Sequence, residues 1–497
     1  MSASPDHDYI QSYERAAAQL AGDSDNRDLQ HSAVLALARA GALDFARREY
    51  TRFGLAGVEG HEDIMSLGAR LEKDLFLRGG PHAGDHAARS AGLYDAAFDA
   101  TGGYYSGINA ATMALMAGMP EKVVSARAEA IREALPLLAA ANPQERYYTR
   151  ATLAETYLLT DDRPRAAQAL QSAVDFDPLN YAAHATTLKQ FRMIAEKQGA
   201  PSDWLSDFSP PRSVHFAGHI LGPSADEDSL AVALSDVIQA RDIGFGYGAL
   251  AAGSDILMAE ALIEEGAELH VVLPADIESF TAKSVRPFGA QWRARFDACM
   301  DAASSVLVLT GLPEWPDPRA NRYAGRVAMG RAIMRGQMLS ADAAQLLIYD
   351  ESAAGSYTAA HAVDWASVRA EQFIVPLPGY EKKAGAKPAP DLDCRFTVQG
   401  EKSVQCSAAQ LVSALSKAGS QNTGVVVTAG LSGREETSAV SDSLVNDSLR
   451  AAVKPGHILM SEEAACMIMF EGIAAINIVY AGQPAAGLRA YSAGLTG

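Results

Sequence analysis

The sequence predicts a multidomain chain that runs from all-α, through α/β, to α+β. Three observations carry this. Residues 1–205 are rich in alanine, leucine and arginine, with apolar positions at helical spacing and recurrent short turns. From about residue 213 the pattern changes to short apolar runs of strand length alternating with helical stretches. Beyond a second linker at 379–393, a further set of strand and helix patterns begins. A chain of 497 residues has room for about three domains at roughly 100–200 residues each. With 48% hydrophobic and 21% charged residues, it can bury real cores.

In the first region, LQHSAVLALARAGALDFARREYTRFGL places Ala33, Leu37, Ala38 and Ala40 on one helical face. Gly41 breaks the pattern and a second helix follows. The motif returns as a helix over 147–159, the turn TDDRP with Pro164 early in the next helix, and a break at DFDPLNY, where Pro178 starts another. A single hairpin cannot bury its apolar face, so the hairpins are expected to stack. Paired helices with a short turn and an Asp-Pro break resemble tetratricopeptide repeats. YDAAFDATGGYYSGINAATMALMAG, Tyr94 to Gly118, resembles the helical-repeat region of bacterial proteins with a TRAFs-binding domain, related to the regulatory part of ASK-type kinases. That resemblance implies a domain over 1–205 that binds a protein partner. Tyr104, Tyr105 and Asn109 are expected to pack and cap a helix–helix corner. His82 and His86 lie four apart, but Gly84 between them and the lack of a third ligand argue against a metal.

PSDWLSDFSPPRS, 201–213, is a linker. Strands are expected at 213–221, in IGFGYG, in ELHVVLP, and at 304–310, 344–350 and 372–378. Helices are expected at 228–240 and in SDILMAEALIEEG. This alternation means a parallel sheet with helices on both faces and functional loops at the strands' carboxyl ends. GFGYGALAAGSDILMAEAL, Gly244 to Leu262, is a strand, a glycine-rich loop and a helix capped by Ser254 or Asp255. Free N–H groups at a helix start, with no Cβ in the way, bind anions. The same loop also serves as a plain tight turn. It is neither a Walker A loop nor GxGxxG.

The run GYGALAAGSDILMAEALIEEGAELHVVLP resembles the SLOG superfamily, which includes DprA and the lonely guy phosphoribohydrolases. This implies a Rossmann-like domain over 206–380 that binds a nucleotide or nucleotide-derived molecule. Its ligand-binding residues would be Gly246, Tyr247, Gly248, Gly253, Ser254 and Asp255, with Gly218 and His219 at the end of the first strand. Gly355, Ser356 and Thr358 fall in SAAGSYTAAH, which aligns with the superfamily's second loop. The paired glycines of that loop are lost, and His361 stands where the hydrolases carry a catalytic glutamate. Cleavage of an N-glycosidic bond needs a carboxylate near the ribose; Glu260 and Asp364 are the candidates. Arg286 and Arg326 are candidate phosphate partners.

Residues 392–497 read as a small α+β unit. Its pieces are CRFTVQG, a helix SAAQLVSALSKAG, TGVVVTAG, a helix at 440–452, HILMS, a helix from Glu462, INIVYAG and LRAYSA. VNDSLR followed by PGHILMSE resembles class III nucleotide cyclases, in which the asparagine holds the ribose and the arginine the transition-state phosphate. Those positions are Asn446 and Arg450. The chemistry needs two metal-binding aspartates, and RFTVQGEKS offers no acid where the first belongs. The resemblance therefore implies a catalytically dead cyclase-like domain without metal, kept for dimerisation, so a homodimer is expected.

The net charge of -18, from 42 basic and 60 acidic residues, repels phosphate backbones and argues against nucleic acid. The four cysteines form no CxxC and suggest buried thiols in a reducing cytoplasm. No apolar run approaches the ~20 residues of a membrane span, and the acidic start is not a signal peptide. The expectation is a soluble cytoplasmic regulatory scaffold or sensor that requires no cofactor. Its central domain would bind a nucleotide-like ligand and its repeats a protein. The alternative is an enzyme that hydrolyses an N-glycosidic bond in a nucleotide-like substrate.

Overall fold

The structure, a computed structural model, describes residues 8–141, 146–221, 225–310, 312–350, 356–369, 371–377, 391–419, 423–431 and 439–495. The first ten helices are α1 (Tyr9–Leu20), α2 (Arg27–Arg39), α3 (Leu43–Arg52), α4 (Glu62–Arg78), α5 (Ala83–Thr101), α6 (Tyr104–Met116), α7 (Glu121–Ala141), α8 (Arg146–Leu159), α9 (Arg163–Phe176) and α10 (Tyr181–Gln198). Side-chain caps start several of them. Asn26 accepts from the Leu29 N–H at 3.1 Å, and Asp162 from the Arg165 N–H at 3.2 Å. Pro178 does not open a helix as expected. The chain turns first, and α10 starts three residues later, where the Asn180 side chain caps the Ala183 N–H at 3.3 Å.

The GGYYSG stretch is a remotely capped helix start. Glu62 of α4 accepts from the Ser106 N–H at 2.9 Å and from its hydroxyl at 2.7 Å. A side chain at Gly103 would collide with the Glu62 carboxylate. The α6 helix that follows is buried along almost its whole length. Lys73 of α4 donates to Asn109 of α6 and to Gln190 of α10, each at 2.8 Å, and Gln190 donates to Glu155 of α8 at 2.7 Å. A half-buried lysine and a buried glutamate are thus joined through a carboxamide that both accepts and donates. This network ties α10 across α6 and α8.

The middle of the chain holds β1 (Arg212–Gly218), α11 (Glu227–Ala240), β2 (Ile243–Gly248), α12 (Ser254–Glu264), β3 (Glu268–Leu273), α13 (Ile277–Ser284), α14 (Ala290–Ala302), β4 (Ser305–Val308), α15 (Pro318–Leu339), β5 (Ala343–Tyr349), α16 (Tyr357–Val368) and β6 (Gln372–Pro376). The strands form one sheet in the order β4-β3-β2-β1-β5-β6, and every pairing is parallel. Val214 and Phe216 of β1 pack with α11, α12 and α14 on one face. Phe245 and Tyr247 of β2 face α15 on the other. All six expected strands are present.

The last part consists of β7 (Cys394–Gln399), β8 (Ser403–Cys406), α17 (Ala408–Gly419), β9 (Val425–Leu431), α18 (Ala439–Ala452), β10 (Ile458–Ser461), α19 (Glu462–Glu471), β11 (Ile476–Ala485) and β12 (Leu488–Leu495). Its mixed sheet has the order β11-β12-β10-β9-β7-β8, with β9 and β10 parallel and the other pairs antiparallel. The edge strand β8 was not expected. It is a short return from β7 whose Val404 side chain stays exposed, so it lacks a buried alternation.

Helix α15 joins all three regions. It covers β1, β2, β3 and β5, and packs against α16, α10 and α19. The Ser213 hydroxyl of β1 donates to the Ala332 carbonyl at 2.6 Å. Lys189 and Arg192 of α10 donate to the Met338 and Ser340 carbonyls at 2.9 and 3.1 Å. Toward α19, Gly330 lies directly against the Cys466 backbone, where any Cβ would collide with the carbonyl oxygen. Arg331 pairs with Glu462 at 3.2 Å, Tyr323 donates to Glu463 at 3.1 Å, and the Arg326 guanidinium sits 5.1 Å from the Phe470 ring centre. Gly330→Leu should push α15 off α19 at a cost of about 1–3 kcal/mol, the usual penalty for overpacking a close contact. Urea unfolding measures this; an unchanged midpoint would show that the two helices are not held at this spacing.

Candidate functional site

In a parallel sheet, ligands gather where the strand order reverses, outside the carboxyl ends. Here the chain winds outward from β1 through β2, β3 and β4, then returns to place β5 on the other side of β1. The reversal point is therefore the crevice between the ends of β1 and β5. His219 follows Gly218 at the first end and Tyr349 closes the second. Their rings are 5.5 Å apart, tilted by 33°.

Helix α12 starts beside this crevice. The Ser254 N–H donates to the His219 carbonyl at 3.2 Å. Gly218 has no side chain because one would collide with Ser254. The Asp255 carboxylate accepts from the Gly218 N–H at 2.9 Å and the Ala251 N–H at 3.2 Å. It staples the end of β1 to the glycine loop, and burial pushes its pKa up to about 7. Gly253 has φ +97°, and a Cβ there would collide with the Leu221 amide. So the chain leaving β1 lies over the glycine loop. The Ser254 hydroxyl is fully buried and has no hydrogen-bond partner among the described residues. Across the crevice, Ser356 caps α16 through the Ala359 N–H at 3.0 Å, and Thr358 is buried in its first turn. Gly355 lies outside the described residues.

Gly218, His219, Gly253, Ser254 and Asp255 thus come together, with Ser356 and Thr358 at the start of the helix after β5. The other residues expected in the loop site do not join them. Gly246 makes room for Leu262 of α12, and Gly248 for the Phe216 backbone and ring of β1. Both are packing glycines within the sheet. Tyr247, one residue along the strand, points to the opposite face. It stacks on His270 at 4.5 Å, with the Arg331 guanidinium 5.6 Å from its ring centre.

The candidate carboxylates are both held by arginines. Glu260 receives two hydrogen bonds from Arg295, at 2.8 and 2.5 Å. Asp364 is buried and bonded by Arg322 at 2.7 and 2.8 Å and by Arg326 at 2.9 and 3.2 Å. Those bonds outweigh burial and hold its pKa below the usual carboxylate value. Arg326 is thereby committed, and Arg286 is bonded to Glu278 at 2.7 and 2.6 Å. His361, where a hydrolase would have its glutamate, fills the space left by Gly325. It meets the His215 ring edge-on at 5.5 Å, and burial pushes its pKa down to about 4, so the ring is neutral near pH 7. The sequence reading missed His215 and Tyr349. Their signal was position alone: His215 lies on the central strand and Tyr349 at the end of β5.

In the C-terminal part, Arg450 is exposed and donates to the Gln399 side chain of β7 at 3.1 and 2.6 Å. Asn446 lies one turn earlier on α18. Among the described residues, no group of three or more His, Cys, Asp or Glu could hold a metal ion. His86 instead contacts Glu72 at 2.7 Å and His82 contacts Asp85 at 3.3 Å. No helix among the described residues is long and apolar enough to cross a membrane.

Residues 7–114, from just before α1 into α6, match the family model TPR-S, Tetratricopeptide Repeats-Sensor. The helical N-terminal region thus carries a tetratricopeptide-like unit of the sensor type. No curated protein matches the chain.

Because burial disfavours ionised Asp255, the native state holds this proton more tightly than the unfolded chain, where aspartate titrates near pH ~3.9. Between about pH 4 and pH 7 the native state therefore binds more protons, and this group's contribution to stability falls as pH rises. Asp255→Asn should flatten that part of the profile. Urea unfolding across this window tests it: equal slopes for the variant and the wild type would contradict the staple as described.

Proposed function

We propose that this protein is a regulatory sensor or scaffold. Its α/β region takes a nucleotide-derived small molecule in the crevice between β1 and β5. Its repeats hold a protein partner. Its C-terminal region is a non-catalytic, cyclase-like unit that contributes to homodimer formation. The observation that carries the ligand is Ser254, a fully buried hydroxyl with no partner among the described residues. It stands where a helix start meets the end of the central strand. Such a group is costly to bury unless something bonds it, and a phosphate or sugar oxygen at a helix N-terminus supplies that bond. The match of residues 7–114 to sensor-type repeats supports the same reading.

The binding reading is favoured over N-glycosidic hydrolysis because Glu260 and Asp364 are each engaged by arginine. A carboxylate so held is poorly placed to stabilise an oxocarbenium-like centre. Gly253→Val is a poor probe of the ligand, since its side chain would collide with the protein's own Leu221 backbone. Ser254→Ala removes only the hydroxyl. Mass spectrometry of small molecules released from purified protein should find a phosphate-bearing, nucleotide-derived compound in the wild type. Rebinding of that compound should fall about tenfold or more in Ser254→Ala, the cost of one hydrogen bond to a charged group. Equal affinity in both proteins would remove the crevice as the site.

The C-terminal reading has its own check. The full chain, given ATP or GTP with manganese, should form no cyclic nucleotide, since two-metal phosphoryl transfer needs the missing aspartates. Product that disappears in Arg450→Ala would overturn the non-catalytic assignment.

A further inference from the structure

The C-terminal sheet is held to the rest of the chain at two places of different character. On one face, α19 and α17 join α15 in a continuous apolar core. There Gly330 allows backbone contact, and the Arg331–Glu462 pair is almost fully buried. On the other face, beside α18, the first helical hairpin docks. Its buried apolar contribution is one small cluster: Ile10 and Ala40, with the partly buried Tyr9, against the sheet and α18.

The rest of this second contact is polar. Asp8, which also caps α1, accepts from the Gln483 N–H of β11 at 3.1 Å. Glu14 of α1 accepts from Lys454 at 2.9 Å, and Arg48 of α3 donates to the Pro455 carbonyl at 2.9 Å. The Ser492 hydroxyl of β12 donates to the Ala40 carbonyl and is met by the His457 ring. Two glycines are shaped for the fit. Gly482 sits in a bulge of β11 with φ +134°, where a side chain would collide with Asp8. Gly41, at the α2–α3 turn with φ +80°, lies against Ser492.

We propose that this second contact is a reversible clasp. The first hairpin releases the C-terminal sheet while α15 and α19 stay together, so a change in the repeats is transmitted directly to the C-terminal unit. The repeats and that sheet are adjacent here without α15 between them, and the residues that the first helices bring to the clasp, from Asp8 to Arg48, lie within the sensor-type match. A contact built on a few hydrogen bonds and an ion pair opens at lower cost than one built on a shared core. For its purpose the clasp rests on the sensor reading; its existence does not.

Hydrogen exchange on the full chain without any ligand separates the two. Amides of α1 and of 476–485 should exchange together, at least tenfold faster than those of α15 and α19. Lys454→Glu, which faces Glu14 with a like charge, should speed α1 and 476–485 a further two- to fivefold. The double variant Glu14→Lys/Lys454→Glu should restore the wild-type rates, and α15 and α19 should not change. Exchange of all four segments at one rate would overturn the clasp. So would acceleration confined to α1, which would mean simple fraying, or acceleration that the double variant does not reverse. Failure of the ligand test at Ser254 would leave all these outcomes unaffected.

Discussion

The structure depends on one close approach: α15 against α19, backbone to backbone at Gly330 and Cys466. Helices come this near only where a residue without a side chain faces the partner. Once they do, α15 must lie with one side on the parallel sheet and the other on the C-terminal unit. The polar groups this buries have to be answered locally. Arg331 finds Glu462 and Ser305, Tyr323 finds Glu463, and Arg326 finds Asp364 and Phe470. The price of burying these charges is offset by pairing, so removing one partner would leave the other stranded.

The same helix bears on the candidate site. Asp364, in the second half of the helix after β5, grips Arg322 and Arg326 of α15, so the helix whose start borders the crevice is fixed to the hub. Across the crevice, Asp255 fixes the glycine loop to the end of β1. Both walls are therefore held by buried carboxylates acting within the protein. This is why neither acid is free for chemistry on a substrate.

Much of this was legible in the sequence. The change of apolar period at about 213 located the parallel sheet, and each expected strand lies within a few residues of its observed bounds. α15 was not legible as a helix. It carries Gly325, Gly330 and Gly336, which lower helix propensity; the first two are explained only by distant neighbours, His361 and Cys466, and the third by the chain turning back at Ala341. The glycine loop was half legible. Gly253, Ser254 and Asp255 meet Gly218 and His219 as the strand–loop–helix pattern implied. Gly246, Tyr247 and Gly248 were grouped with them by the SLOG resemblance, although strand alternation already separates Tyr247 from its neighbours. The arginine partners of Glu260 and Asp364 lie 35 and 38–42 residues away in sequence, beyond any local pattern.

The claim that most needs testing is that the crevice between β1 and β5 is where a ligand is held. Differential hydrogen exchange, with the compound recovered from the protein added back to ligand-free chain, reads this directly. The account predicts slowed exchange at 219–221, 254–257 and 356–359, with α13 and α14 unchanged. Protection confined to the helical repeats, or none at the three segments, would contradict it.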